Sequence, residues 1–191
     1  MTRLDSFFHQ ISKARVFIAL SFMTLLFSTV FIAKQANAAQ AYQLDSGDTI
    51  SISVFGEPDL QKEIIINNRG SINFPFLGEI SVKGLTLSEL EVKIVDGLKP
   101  DYFINPNVSV VIKQYRPFFI KGQVKSSGAY PYQPGLTVDK AVVLAGGFTE
   151  RASRDKIFII RAKDASKKSV NVAIDAEVFP GDIITVKQSF F

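Results

Sequence analysis

The sequence contains no cysteine and no tryptophan, and its single histidine is His9. Net charge is small as well, with 22 basic against 18 acidic residues in 191. Four of the basic residues (Arg3, Lys13, Arg15, Lys34) and one acidic residue (Asp5) fall in the first 38 positions, which leaves 18 against 17 in the body of the chain. Each scarcity removes a class of function. With neither thiol nor imidazole, that body supplies no Cys or His nucleophile, no imidazole general base and no thiolate or imidazole zinc site. A net charge of +1 lacks the basic stripe that displaces counterions from nucleic acid, so no nucleic-acid partner is expected. No disulfide can staple the fold, which rests on its core alone. Halves well under 100 residues are marginal by themselves, so packing between them, or between copies, is expected.

What is present begins with an address. Residues 16–33 (VFIALSFMTLLFSTVFIA) carry no charge, follow a basic stretch and lead through Lys34 to Ala36-Asn37-Ala38. This reads as a secretory signal over residues 1–38, cut before Ala39. An uncleaved inner-membrane anchor is the alternative, because about 18 apolar residues reach the lower limit for crossing a bilayer. No cysteine stands at the boundary to take a lipid.

Two cycles of strand and helix signals follow. In residues 49–55, Ile50, Ile52 and Val54 alternate with Ser51 and Ser53, the period of a half-buried strand. Strands are expected over 63–67, 71–74 and 79–83, with Glu57-Pro58-Asp59 as a loop. Thr86 with Glu89 three residues on is a capping box, and Leu87, Leu90, Ile94 and Leu98 give the helix an apolar face that ends at Lys99-Pro100. Pro106 opens a strand over 107–114. The signals restart after Arg116-Pro117: strands over 118–124 and 130–132, a helix capped by Thr137 and closed by Gly146-Gly147, then strands over 156–162, 169–174 and 183–187. Gly47-Asp48 and Pro180-Gly181-Asp182 both stand directly before a strand, a weak internal echo that reads as two capped turns. The whole is α+β: a mixed α+β unit followed by one resembling a β-grasp.

The segments 42–60 (YQLDSGDTISISVFGEPDL), 69–90 (RGSINFPFLGEISVKGLTLSEL), 102–112 (YFINPNVSVVI), 120–130 (IKGQVKSSGAY), 137–152 (TVDKAVVLAGGFTERA), 157–161 and 180–186 together resemble the bacterial outer-membrane polysaccharide export proteins, in that family's order. The resemblance implies a polysaccharide export domain at 39–115 and a soluble-ligand-binding β-grasp (SLBB) domain at 116–191. It also implies a periplasmic, ring-forming homo-oligomer that carries a translocating polysaccharide, capsule or exopolysaccharide, toward the outer membrane. The implied partners are an inner-membrane polysaccharide co-polymerase or tyrosine kinase and a separate outer-membrane β-barrel. Longer family members add a lipobox cysteine, further β-grasp domains and a C-terminal membrane helix. Here the sequence ends at Ser189-Phe190-Phe191, so it is similar to the short members. A soluble periplasmic saccharide-binding module that forms no conduit is the alternative.

A conduit calls for no catalytic residue, no cofactor and no metal. It calls for a wet, weakly binding surface, and Ser51, Ser53, Ser109, Lys113, Tyr130 and Tyr132 are the candidates for saccharide contact, although the same residues also read as ordinary solvated strand positions. Gly47, Asp48, Pro75, Gly78, Gly84, Pro106, Gly122, Gly128, Gly146, Gly147, Pro180, Gly181 and Asp182 match the family pattern and read as turn and helix-end residues. Arg154, Asp155 and Arg161 are candidates for contacts between subunits. The carboxylates Glu57 with Asp59, or Asp48 with Asp182, could suggest a glycosidase pair, which needs two carboxyl groups at a fixed separation and one with a raised pKa. Turn capping accounts for the aspartates better.

Overall fold

Alternation at the first strand works as the pattern demands: in β1 (Thr49–Val54) Ile50, Ile52 and Val54 are buried and the residues between them are half-buried. The computed structural model describes residues 42–189. The expected signal segment, its cleavage site and the closing Phe190 and Phe191 lie outside the described residues. β1 is the centre of a three-stranded antiparallel sheet between β2 (Glu57–Ile65) and β5 (Val108–Gln114). β3 (Ser71–Phe74) and β4 (Gly78–Ser81) form a separate hairpin.

Helix α1 (Leu87–Leu98) carries the capping box in full: the Thr86 hydroxyl accepts from the Glu89 amide, and the Glu89 carboxylate accepts from the Thr86 amide at 2.7 Å. Such a cap contributes about 1 kcal/mol. Leu90, Ile94 and Leu98 are buried in one cluster with Ile50, Ile52, Phe74, Val82 and Val110. Glu91 then accepts the Val110 amide at 2.8 Å, which satisfies a backbone donor of β5, an edge strand.

The second core lies under a five-stranded mixed sheet in the order β7-β6-β10-β8-β9. Its strands are β6 (Phe118–Gly122), β7 (Gly128–Tyr130), β8 (Ala152–Ile160), β9 (Ser169–Val172) and β10 (Ile183–Gln188). β6 and β10 run parallel in its middle, and every other pair is antiparallel. Helix α2 (Val138–Leu144) buries Val138, Ala141 and Val142 in a cluster with Phe118, Ile120, Ile157, Ile159, Ile184 and Val186. A mixed sheet holding one helix is a β-grasp, so the α+β reading stands.

Some expected bounds need correction. Glu57-Pro58-Asp59 opens β2 rather than forming a loop. β2 is an edge strand with nearly every residue exposed, so it carries no alternation, and an edge tolerates Pro58 because its missing N–H faces no partner strand. β8 begins at Ala152, four residues before the expected start, because after a register shift Gln188 pairs with Ala152. β7 ends at Tyr130, so Gly128 lies in a strand; it is absent from the positive-φ glycines, which include Gly47, Gly78, Gly84, Gly122, Gly146, Gly147 and Gly181.

Candidate functional site

The chain passes from the first core to the second through Tyr115-Arg116-Pro117, and there the two Gly-Asp turns meet. Asp48 is fully buried. Its Oδ1 accepts the Arg116 amide at 2.8 Å, and its Oδ2 accepts the Asp45 amide at 2.9 Å and Arg116 Nη1 at 3.1 Å. The Tyr42 hydroxyl donates to the same carboxylate and accepts from Arg116 Nη1 at 2.8 Å. Burial, together with the hydrogen bond to Asp48, pushes the Tyr42 phenol well above its ordinary pKa. Burial works against the charge of Asp45, yet the Ser46 amide, Lys83 and Arg116 outweigh it and hold that carboxyl below its usual range.

Asp182, also buried, repeats the geometry. Its Oδ1 accepts the Ala162 amide at 3.0 Å, and its Oδ2 accepts the Phe179 amide at 2.9 Å and Arg161 Nη1 at 2.6 Å. The two turns touch through Arg116: a Cβ on Gly47 would stand 3.4 Å from Arg116 Cβ, and one on Gly181 would stand 3.0 Å from Arg116 Nε. The Gly181 amide donates to Pro117 O at 3.1 Å. Beside this centre Tyr42, Tyr115 and Tyr132 form an edge-to-face ladder, with ring centroids 4.9 and 5.3 Å apart. Burial, then Tyr115, raises the Tyr132 phenol. Every described contact of Asp48 and Asp182 uses the carboxylate as an acceptor, which suits a joint that fixes geometry.

The saccharide-contact candidates divide. Ser53 pairs with Ser109 across β1 and β5, and Ser51 lies between Glu63 and Val111, so these serines share the face of the first sheet away from α1. Lys113 is exposed at the bulged end of β5. Tyr130 and Tyr132 lie elsewhere and are committed to packing: Tyr130 stacks on Phe118 at 5.9 Å and donates to Ser126 O, while Tyr132 closes the tyrosine ladder. Of the subunit-contact candidates, Arg161 is engaged within the chain by Asp182, the Glu177 carbonyl and the Phe179 ring. Arg154 and Asp155 are exposed on β8. Glu57 and Asp59 are exposed on edge strand β2. Pro75 and Pro106 lie in connections, and Pro180 is buried beside Asp182.

Sequence reading missed Tyr42, Tyr115 and Arg116. A signal existed: an arginine follows each strand that runs antiparallel to a Gly-Asp strand, Arg116 after β5 and Arg161 after β8. Among the described residues no group of three or more His, Cys, Asp or Glu is placed to hold a metal ion, and no helix is long and apolar enough to cross a membrane.

The sequence pattern of the polysaccharide biosynthesis/export proteins matches residues 36–113, and that of the SLBB domain matches residues 117–173, one on each side of Arg116. The chain belongs to the polysaccharide export protein family. Among its relatives, the Exopolysaccharide production protein ExoF of Rhizobium meliloti is 40% identical over 97 residues, which cover 46% of this chain and 23% of that protein. The Polysialic acid transport protein KpsD of Escherichia coli is 24% identical over 69% of this chain and 24% of its own length. The EPS I polysaccharide export outer membrane protein EpsA of Ralstonia nicotianae is 26% identical over 78% of this chain and 41% of its own length. The chain thus spans under half the length of each of these relatives. The joint at Arg116 therefore lies where the two family modules adjoin.

Proposed function

We propose that this chain is an exported periplasmic subunit of a ring through which a polysaccharide, capsule or exopolysaccharide, passes without chemical change. The ring receives polymer from an inner-membrane co-polymerase or tyrosine kinase and hands it toward an outer-membrane β-barrel. The chain divides at Arg116 into an export module, 39–115, and a β-grasp module, 116–191. The observation that carries this reading is the buried joint. A ring closes only when each subunit presents its two contact surfaces at one constant angle. Arg116, wedged between the turns at Gly47 and Gly181, supports a constant angle between the modules.

Light scattering and electron microscopy of the full chain test the ring. A closed multimer with a central opening is expected; a stable monomer that binds short glycans would return the saccharide-binding module instead. Deletion of the gene is expected to abolish surface polysaccharide while precursor synthesis continues, and normal export would overturn the proposal. N-terminal sequencing of the exported protein is expected to start at Ala39; a start at Met1 would make the subunit an anchored one.

A further inference from the structure

Beside α2 the chain forms a short ladder outside its named strands. Val124 bridges Phe148, the Lys125 amide donates to Gly147 O at 3.0 Å, and the Thr149 amide donates to Gln123 O at 3.1 Å. Here lies an open groove of about 610 Å³, lined by Lys125, Phe148, Thr149, Glu150, Ala152 and Arg154. Sites for small ligands commonly span about 300 to 1,000 Å³, so one or two sugar rings fit.

The chemistry of the lining is specific. Phe148 is half-buried and packed against the second core, so its ring is a fixed platform. The Arg154 guanidinium stands over that ring with its central carbon 5.7 Å from the centroid, held there by cation–π attraction. Among the described residues neither Arg154 nor Lys125 forms a salt bridge. Thr149 donates its hydroxyl proton to Gln123 Oε1 at 2.7 Å, which leaves its oxygen able to accept. Glu150 is exposed at the same wall.

We propose that this groove binds a carboxylate-bearing sugar, a hexuronate or similar acidic unit of the transported polymer. The planar guanidinium of Arg154 takes both carboxylate oxygens, Lys125 adds a second positive charge, and Glu150 and Thr149 accept from sugar hydroxyls. A neutral sugar would leave both cations unanswered. The assignment rests on the reading that polysaccharide meets this chain, and it adds where, and with what charge.

The test is titration of the full chain with tetragalacturonate, its methyl ester and tetraglutamate, followed by calorimetry and backbone NMR. Tetragalacturonate is expected to bind and to shift residues 123–125 and 147–154, with the methyl ester at least tenfold weaker. Arg154→Gln is expected to weaken binding about tenfold, with Arg154→Lys between it and the parent. Both substitutions are at an exposed position, and unchanged melting would show that the fold is intact. Equal binding of acid and ester, tetraglutamate binding as tight as tetragalacturonate, shifts confined to another surface, or an unaffected Arg154→Gln would each overturn the groove assignment. Those results leave ring closure and the deletion phenotype untouched, so failure here is distinguishable from failure of the conduit reading.

Discussion

At the entrance to β1, Asp48 collects the amide three residues upstream, from Asp45, and the Arg116 amide from the chain leaving β5; at the entrance to β10, Asp182 collects the Phe179 and Ala162 amides in the same arrangement. In each case the neighbour is an antiparallel strand and an arginine Nη1 completes the carboxylate. The surroundings differ. Asp48 and Arg116 have side-chain exposures of 0% and 9%, whereas Arg161 beside Asp182 is 33% exposed. One turn chemistry thus serves two ends. In the first half the pair is enclosed by Tyr42 and the second module; in the second half the guanidinium lies partly in solvent over Phe179.

That difference predicts unequal costs. Asp48→Ala leaves the buried Arg116 guanidinium only the longer 3.9 Å pairing with Asp45 and orphans two amides, for an expected loss of about 3 to 5 kcal/mol. Asp182→Ala frees an arginine that water can reach, and the expected loss is nearer 1.5 to 3 kcal/mol, roughly that of hydrogen bonds to a charged group. Urea unfolding of both variants checks the order. Equal losses, or a larger loss at Asp182, would break the distinction between an enclosed and an open corner.

The glycines preceding the aspartates should rank the other way. Both are left-handed, Gly47 at φ 91° and Gly181 at φ 83°, so each pays the strain of a side chain in that region, about 1 to 2 kcal/mol. A Cβ at Gly47 meets its nearest neighbour at 3.4 Å, an ordinary contact, whereas at Gly181 it meets Ala162 Cβ at 2.9 Å and Arg116 Nε at 3.0 Å. Gly47→Ala is expected to cost about 1 kcal/mol and Gly181→Ala about 2 kcal/mol, the excess coming from the shift that Ala162 and Arg116 must make. Thermal melts of the two variants decide it: a costlier Gly47→Ala would mean the first turn, not the second, is the tight one.

How much of this was legible depended on whether the signal is local. The Thr86 and Glu89 box, the alternation of Ile50, Ile52 and Val54, and the Gly146-Gly147 stop each concern residues within a few positions of one another, and each element formed where its pattern lies. Glu57-Pro58-Asp59 on an edge strand, and the charged start of β8, which runs beyond its pairing with β9, gave no pattern because backbone exposed to water on these stretches needs none. Arg116 was legible only as a boundary: its partner Asp48 lies 68 residues upstream, and nothing near either residue records that the chain returns. The echo of the two Gly-Asp turns was visible, but its meaning, a shared centre around Arg116, needed the packing of both modules.

The smallest expected effect concerns the hydroxyl of Tyr42, whose ring lies under Arg116 as the Phe179 ring lies under Arg161 but which alone of the two rings carries a hydroxyl. Its folded-state pKa is raised, first by burial and then by the hydrogen bond to Asp48. Below about pH 10 the phenol is protonated in both states and the linkage is silent. Above that pH the unfolded chain gives up the proton while the folded chain keeps it, so the unfolded state binds fewer protons and stability falls as pH rises. Urea unfolding between pH 8 and 11 should therefore show an alkaline decline that Tyr42→Phe reduces, at the cost of some stability at neutral pH from the lost hydrogen bond. Part of the decline should persist, because the Tyr132 phenol is raised too. Asp182→Ala should lower the whole curve and trim its alkaline slope only slightly, because the Asp182 charge is the last-ranked of the causes that raise the Tyr132 phenol. If Tyr42→Phe left that slope unaltered, the enclosed corner would not be coupled to Tyr42, and the contrast between the two corners would reduce to the exposure of their arginines.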